Sequence, residues 1–266
     1  MHRYLLQIGP VTIYSYGAML ALAFITATYL AVKRAKREGI EGTKIVDLSL
    51  YILLSSILGA RILFVALSWD YYKEHLADIF KVWEGGLVFY GGLISAFFTA
   101  VWFLKKNRLS IWKVGDILSV PLALGIAIGR IGCFLNGCCY GEISFAYGIS
   151  FPAKDNPPVF SQQVWDSLIS PRAVCSLPVI PTQLYESAAY LLIFFLILLL
   201  ERRKHFAGFS FWMFILLYSF FRFIIEGFRY YDANFVFGAF TASQLISVIL
   251  FIIALTALML GARKVH

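Results

Sequence analysis

Seven stretches of the chain are apolar for close to twenty residues, with polar positions gathered between them: about 13–33, 46–68, 86–104, 115–134, 184–200, 206–226 and 240–261. A helix rises 1.5 Å per residue, so crossing about 30 Å of hydrocarbon takes roughly 20 apolar residues. The pattern therefore predicts an all-α, polytopic membrane protein with seven transmembrane helices. The fifth stretch has the shortest purely apolar core, Ala188 to Leu200, and needs Leu184 and Tyr185 to span. Thr241-Ala-Ser-Gln244 reads as a capping box that opens the seventh helix.

Two of the intervening segments exceed a tight turn. Residues 69–85 place Leu76, Ile79, Phe80 and Trp83 at helical spacing around Lys73, Glu74 and Asp78, the pattern of a helix lying in the membrane interface. Residues 135–183 hold Pro152, Pro157, Pro158, Pro171, Pro178 and Pro181. This segment is expected to form a small extracytoplasmic head between helices four and five. No repeat or linker divides the rest, so residues 1–266 read as a single transmembrane domain.

Composition agrees: 60% of the 266 residues are hydrophobic and 14% charged, too little polar surface for a water-soluble domain of this length. Of the 23 Lys and Arg residues, 14 fall in the segments after helices one, three, five and seven, and 5 (Arg3, Lys73, Lys81, Lys154 and Arg172) on the other side. Positive charge marks the cytoplasmic side, so the N-terminus is expected outside and the C-terminus in the cytoplasm. The net charge of +8 is then mainly a topology signal. It is split into short clusters at helix ends, unlike a nucleic-acid surface. Met1 to Pro10 has no basic-then-apolar order with a cleavage site, so no cleavable signal peptide is expected.

Four arginines remain, Arg61, Arg130, Arg222 and Arg229, each inside or at the outer end of an expected span. A guanidinium there costs about 2.5–3.5 kcal/mol on insertion scales unless a partner or water meets it. Arg130 lies in Gly129-Arg-Ile-Gly-Cys-Phe-Leu-Asn-Gly-Cys-Cys-Tyr-Gly141, which packs glycines and Asn136 around a bidentate donor suited to phosphate. Arg222, Glu226 and Arg229 are spaced four and three apart and share one helix face. One carboxylate cannot neutralise two guanidiniums, so this ladder keeps an excess positive charge. Tyr90 sits between two Gly-Gly pairs, and Tyr16 lies in Tyr14-Ser-Tyr-Gly17; both are either interfacial anchors or uncrowded phenols within reach of a ligand. In Pro181-Thr-Gln-Leu-Tyr-Glu186, Thr182 reads as a helix cap, while Gln183 and Glu186 carry polar groups to the helix entrance.

Cys133, Cys138, Cys139 and Cys175 all fall on the side expected outside, where disulfides persist. Adjacent Cys138 and Cys139 are not expected to pair together, so a bond from Cys175 to one of them is the expectation. No metal is expected, because adjacent cysteines without a second CxxC or histidines do not make a tetrahedral set. His2, His75, His205 and His266 lie outside every span.

Taken together, these blocks resemble the prolipoprotein diacylglyceryl transferase family. The matching segments are Ile8-Gly-Pro-Val, Tyr14–Gly17, Gly59-Ala-Arg-Ile62, Gly85–Ile94, Gly129–Gly141, Pro181–Glu186 and Phe221–Arg229 with Asp232, in family order. The resemblance implies transfer of diacylglycerol from phosphatidylglycerol to the lipobox cysteine of a prolipoprotein, giving a thioether and glycerol phosphate. It implies a bacterial inner-membrane enzyme acting at the outer leaflet with no cofactor. Arg130 and Arg222, with Tyr90 and Tyr16, are the expected catalytic residues. Asn136, Gly141, Glu226, Arg229, Arg61, Gln183 and Glu186, again with Arg130 and Arg222, would bind substrate. Some members carry a histidine where Tyr90 stands, and many an asparagine where Cys133 stands. A phenol with a reference pKa of about 10 is expected to bond and position rather than serve as the base. The other readings are a phospholipid-using paralogue with a different acceptor, and a lipid or anion transporter; transporters usually show repeats and broken helices, which this sequence lacks.

Overall fold

The computed structural model describes residues 3–8, 11–202, 206–230, 236–237 and 240–263. His2, His205, His266 and Asp232 lie outside the described residues. Among the described residues, six helices are long and apolar enough to cross a membrane: α1 (Ser15–Arg37), α2 (Gly42–Leu67), α5 (Ile111–Asn136), α7 (Thr182–Leu200), α8 (Phe209–Glu226) and α9 (Ala242–Ala262). The third expected span corresponds to α4 (Phe89–Lys106), whose 18 residues end in Lys105 and Lys106 and which is not among these six. Along these helices Leu58, Ile62, Phe98, Phe195 and Ile252 are exposed. Water would disfavour such a surface and lipid covers it, so the chain is a multi-pass membrane protein.

The chain forms two compact units, Leu30–Val114 and Met1–Tyr29 with Gly115–His266. In the Leu30–Val114 unit, α2 packs on α4 through small residues. A Cβ added at Gly91 would collide with the Gly59 carbonyl, and one added at Gly92 would lie 2.9 Å from the Ser56 carbonyl. Helices in lipid lack a hydrophobic drive toward one another, so this close approach supplies the packing. The expected interfacial helix over 69–85 does not form as one element. It breaks into α3 (Trp69–Tyr72) and two 3-10 turns, Leu76–Phe80 and Val82–Glu84. The reason is Arg61, whose buried guanidinium draws the carbonyls of Asp78 (2.5 Å), Ile79 (2.8 Å), Gly85 (2.7 Å) and Gly86 (3.2 Å) out of helical register.

In the other unit, α8 packs against both α7 and α9. The carboxylate of Asp116 on α5 accepts the backbone N–H groups of Gly208 (2.6 Å) and Phe211 (3.0 Å), supplying the N-terminal cap of α8 from another helix. The capping box at Thr241 and Gln244 is present at the start of α9. Thr182 does not cap α7. Its hydroxyl instead donates to the Cys139 carbonyl at 2.8 Å. Between α5 and α7, α6 (Pro158–Trp165) and a set of short antiparallel bridges close over a core of Phe151, Val159 and Val179. Strictly, the architecture is not all-α. Two antiparallel pairs also occur, β1 (Tyr4–Ile8) with β2 (Val11–Tyr14) and β3 (Val236–Phe237) with β4 (Phe240–Thr241). The β-branched and aromatic residues of the first pair favour extended backbone, a signal that span-length hydropathy passes over.

Candidate functional site

Three elements of one unit converge. α5 ends in a Schellman turn: the Gly137 N–H reaches the Phe134 carbonyl (3.1 Å) and the Cys138 N–H the Cys133 carbonyl (3.2 Å). Gly137 takes φ +75°, the left-handed conformation this motif requires. The loop that follows is strapped to its neighbours at four places. The Gln183 amide donates to the Cys138 carbonyl (2.7 Å), Thr182 to that of Cys139, the Gly141 N–H to Ile180 (2.9 Å), and the Glu142 N–H to Phe228 (3.0 Å). Gly141 lies in bridge pairing with Arg229, where a Cβ would collide with the Phe228 carbonyl. Its part is therefore to let α8 and the loop meet.

These straps hold a chain of alternating charges. Arg130 Nε lies 2.6 Å from Glu186 Oε2, and Arg222 meets Glu186 Oε1 at 2.6 Å and Glu226 Oε2 at 2.8 Å. Arg229 approaches Glu226 at 3.8 Å, and the Thr241 hydroxyl donates to Glu226 at 3.2 Å. The ladder expected from spacing within α8 is thus present, but with a second carboxylate from α7. Among the described residues, three guanidiniums meet two carboxylates. The two carboxylates are buried, at 2% and 0% side-chain exposure, while Arg130 keeps 21%, Arg222 13% and Arg229 16%. The negative groups therefore form a fixed backing, and the accessible part of the cluster is cationic. Removing one partner of such a buried pair typically costs about 3–5 kcal/mol, so the geometry is stiff.

Other expected site residues sit at the margin. Asn136 Oδ1 accepts from Arg3 Nε at 3.3 Å, and Arg3 also donates to the carbonyls of Asp155 and Asn156. In the sequence Arg3 shows only as a charge on the outer side, with nothing local to tie it to Asn136. Buried Gln183 leaves Oε1 without a hydrogen-bond partner among the described residues. Tyr16, on the first turn of α1, lines the close approach to Gly132 and is within electrostatic range of Arg130. Arg61 and Tyr90 belong to the other unit. Arg61 is held by backbone carbonyls and packs over the Phe64 and Tyr72 rings, whereas Tyr90 is 57% exposed on the first turn of α4.

The expected disulfide is absent: all four cysteines are free thiols, and Cys175 is exposed. The helix-ending turn is the reason, because it folds Cys138 and Cys139 back toward Cys133. Their three sulfurs lie within 4.8 Å of one another. The Cys139 thiol is held well below the usual cysteine range by hydrogen bonds from Cys133 and Cys138, and the Arg229 and Arg130 guanidiniums lower it further.

The family described as prolipoprotein diacylglyceryl transferase matches residues 3–260. A phosphatidylglycerol–prolipoprotein diacylglyceryl transferase of Geobacillus kaustophilus is 36% identical over 96% of this chain and 90% of its own length. The protein of the same name from Listeria innocua is 34% identical over 94% of this chain and 86% of its own. That of Limosilactobacillus reuteri is 34% identical over 97% and 90%.

Proposed function

Because this chain belongs to the prolipoprotein diacylglyceryl transferase family, we propose that it moves the diacylglyceryl group of phosphatidylglycerol onto the lipobox cysteine of a prolipoprotein. A thioether forms and glycerol phosphate leaves. The observation that carries this proposal is the arrangement of the cluster: Arg130, Arg222 and Arg229 keep accessible edges over two buried carboxylates. Phosphatidylglycerol carries one negative charge on its phosphodiester, and the accessible guanidinium edges match it in sign and hydrogen-bonding geometry.

The chemistry follows from that match. As the glyceryl carbon–oxygen bond breaks, negative charge grows on the departing phosphate. Guanidiniums already held by Glu186 and Glu226 stabilise that charge without reorganising, in surroundings that exclude water. Gln183 Oε1 is an acceptor for a headgroup hydroxyl, and Asn136, fixed by Arg3, lines the same loop. Tyr16 and Tyr90 are assigned to positioning by hydrogen bonds. The attacking thiol has a reference pKa of about 8.5, so a positive field raises its reactive fraction.

The setting is a bacterial inner membrane, with the N-terminus outside, the C-terminus in the cytoplasm, and residues 135–183 as an extracytoplasmic head. α4 completes a set of seven spans: its 18 residues extend about 27 Å, close to the hydrocarbon thickness. The bias of Lys and Arg between the two sets of loops supports this orientation.

The test is purified protein with labelled phosphatidylglycerol and a lipobox peptide. Thioether product is expected, and Arg130→Ala or Arg222→Ala should abolish it while leaving membrane insertion intact. Donor turnover without peptide modification would point to a different acceptor, and no turnover to a transporter.

A further inference from the structure

The transfer just described uses the arginines and leaves unassigned three thiols, one in the last turn of α5 and two in the loop that follows it. We infer that Cys133, Cys138 and Cys139 form a three-thiolate site for a soft divalent cation such as zinc, whose fourth position takes the acceptor's cysteine thiol. The inference rests on the proposed transfer and concerns how its nucleophile is activated.

Geometry supports it first. The three sulfurs already lie within 4.8 Å of one another. Thiolates at about 2.3 Å from one tetrahedral zinc sit just under 4 Å apart, so a contraction of about 1 Å or less closes the set. The backbone shows the same purpose. Side chains of adjacent residues normally diverge, but Cys139 adopts φ +58°, a left-handed conformation uncommon outside glycine. Combined with the Schellman turn at Gly137, it directs both neighbouring thiols toward Cys133 at the end of α5. Gln183 and Thr182 hold the carbonyls of Cys138 and Cys139, and the Cys138 thiol donates to the Cys133 carbonyl at 3.7 Å. Such fixing of ligands by their neighbours is characteristic of metal sites.

Ligand number points the same way. Three protein ligands leave one position open, the arrangement of catalytic rather than structural zinc. Cys133 is buried while Cys138 and Cys139 are partly accessible, so the open side belongs to the loop.

The reaction needs a thiolate, and a thiol bound to zinc is deprotonated outright. In the proposed step the acceptor thiol passes its proton to a hydroxide held at the fourth position, which leaves as water. The acceptor sulfur then attacks the glyceryl carbon. Its carbon–sulfur bond forms as the carbon–oxygen bond breaks, and that electron pair departs on glycerol phosphate. The metal changes no oxidation state. The neutral thioether is a weaker ligand and leaves; a water takes its place and gives one proton to the departing glycerol phosphate, which restores the bound hydroxide.

The experiment is metal analysis of full-length protein purified from zinc-supplemented cells without chelator, paired with the transfer assay. About one zinc per chain is expected, also in Cys175→Ser. The triple variant Cys133→Ser/Cys138→Ser/Cys139→Ser should hold less than about a tenth of that. Replacement by cobalt should give a thiolate-to-metal charge-transfer band. Cys139→His keeps a ligand in place and should retain the metal with a weaker band, which separates ligation from a folding defect. Stripping the metal should lower transfer at least about tenfold, and zinc should restore it. Full-rate thioether formation by metal-free protein, or equal zinc in wild type and triple variant, overturns the inference and leaves the proposed transfer standing. Bound zinc with no thioether from either form overturns the transfer and leaves the metal site standing.

Discussion

Two arginine settings in this molecule look alike in sequence and differ in what the guanidinium meets. Arg61 near the end of α2 donates to four backbone carbonyls and is 7% exposed. Arg130, Arg222 and Arg229 meet two buried carboxylates and keep accessible edges. Carbonyl dipoles satisfy a guanidinium without cancelling its charge and, being part of the chain, fix a loop around it. Carboxylates cancel charge in whole units, so the number of them decides whether a cluster can still hold an anion. An intramembrane arginine is therefore read by its acceptors: main-chain oxygens mark an architectural clamp, and buried carboxylates behind accessible guanidinium edges mark a binding site.

The comparison breaks most readily at Arg222, which touches both carboxylates. Arg222→Ala should lower transfer by about 100- to 1000-fold, the usual cost of removing one preorganised donor from a developing anion. Arg222→Lys should recover little, because a point charge cannot bridge Glu186 and Glu226 together. The readout is labelled thioether formed by purified protein. Activity within about threefold of wild type in either variant would show that the cluster does not hold the phosphate.

Glu186→Gln tests the backing rather than the face. It leaves Arg130 and Arg222 without their shared countercharge, so thermal stability in detergent should fall by about 3 kcal/mol. Transfer by the folded fraction should fall less than in Arg222→Ala, because more positive charge remains but in the wrong place. A variant of unchanged melting temperature would mean that Glu186 does not hold the two arginines.

Arg61→Ala should sharpen the other side of the comparison. Hydrogen bonds to a charged group contribute about 1.5–3 kcal/mol each, and four carbonyls lose them together. Faster proteolysis within 76–86 is expected, with the apparent affinity for phosphatidylglycerol unchanged in protein that remains folded. A selective rise in donor KM with normal protease resistance would move Arg61 from clamp to donor site.

How far the sequence announces these settings depends on the range of the contacts. The spans, the capping box at Thr241 and the Arg222–Glu226–Arg229 face follow from local spacing, which a helix converts directly into geometry. Glu186 reads only as a polar residue at a helix entrance, because its partners are 36 and 56 positions away. Arg61 offers no sign that carbonyls of residues 78–86 will turn toward it and break the interfacial helix. The free state of the thiols is hidden for a related reason. Nothing in Cys-Cys shows that Cys139 will adopt a left-handed backbone, and without it the two side chains diverge. What the pattern leaves illegible is where backbone departs from regular structure and where partners come from other helices.

The smallest effect is expected at Tyr90, the residue the family resemblance makes most conspicuous. Its ring is 57% exposed on the first turn of α4, without the buried carboxylates that surround Arg222. A phenol so placed can give one hydrogen bond to a bound headgroup or peptide, and a single neutral bond is worth about 0.5–1.5 kcal/mol. Tyr90→Phe keeps the ring and deletes that bond, so transfer should fall by about two- to tenfold. If Tyr90 were instead the base for the acceptor thiol, loss of its hydroxyl should cost about 100-fold or more and remove an ionisation from the pH profile of kcat/KM. Measuring that profile for Tyr90→Phe therefore separates a positioning phenol from a proton acceptor, with an unchanged profile expected.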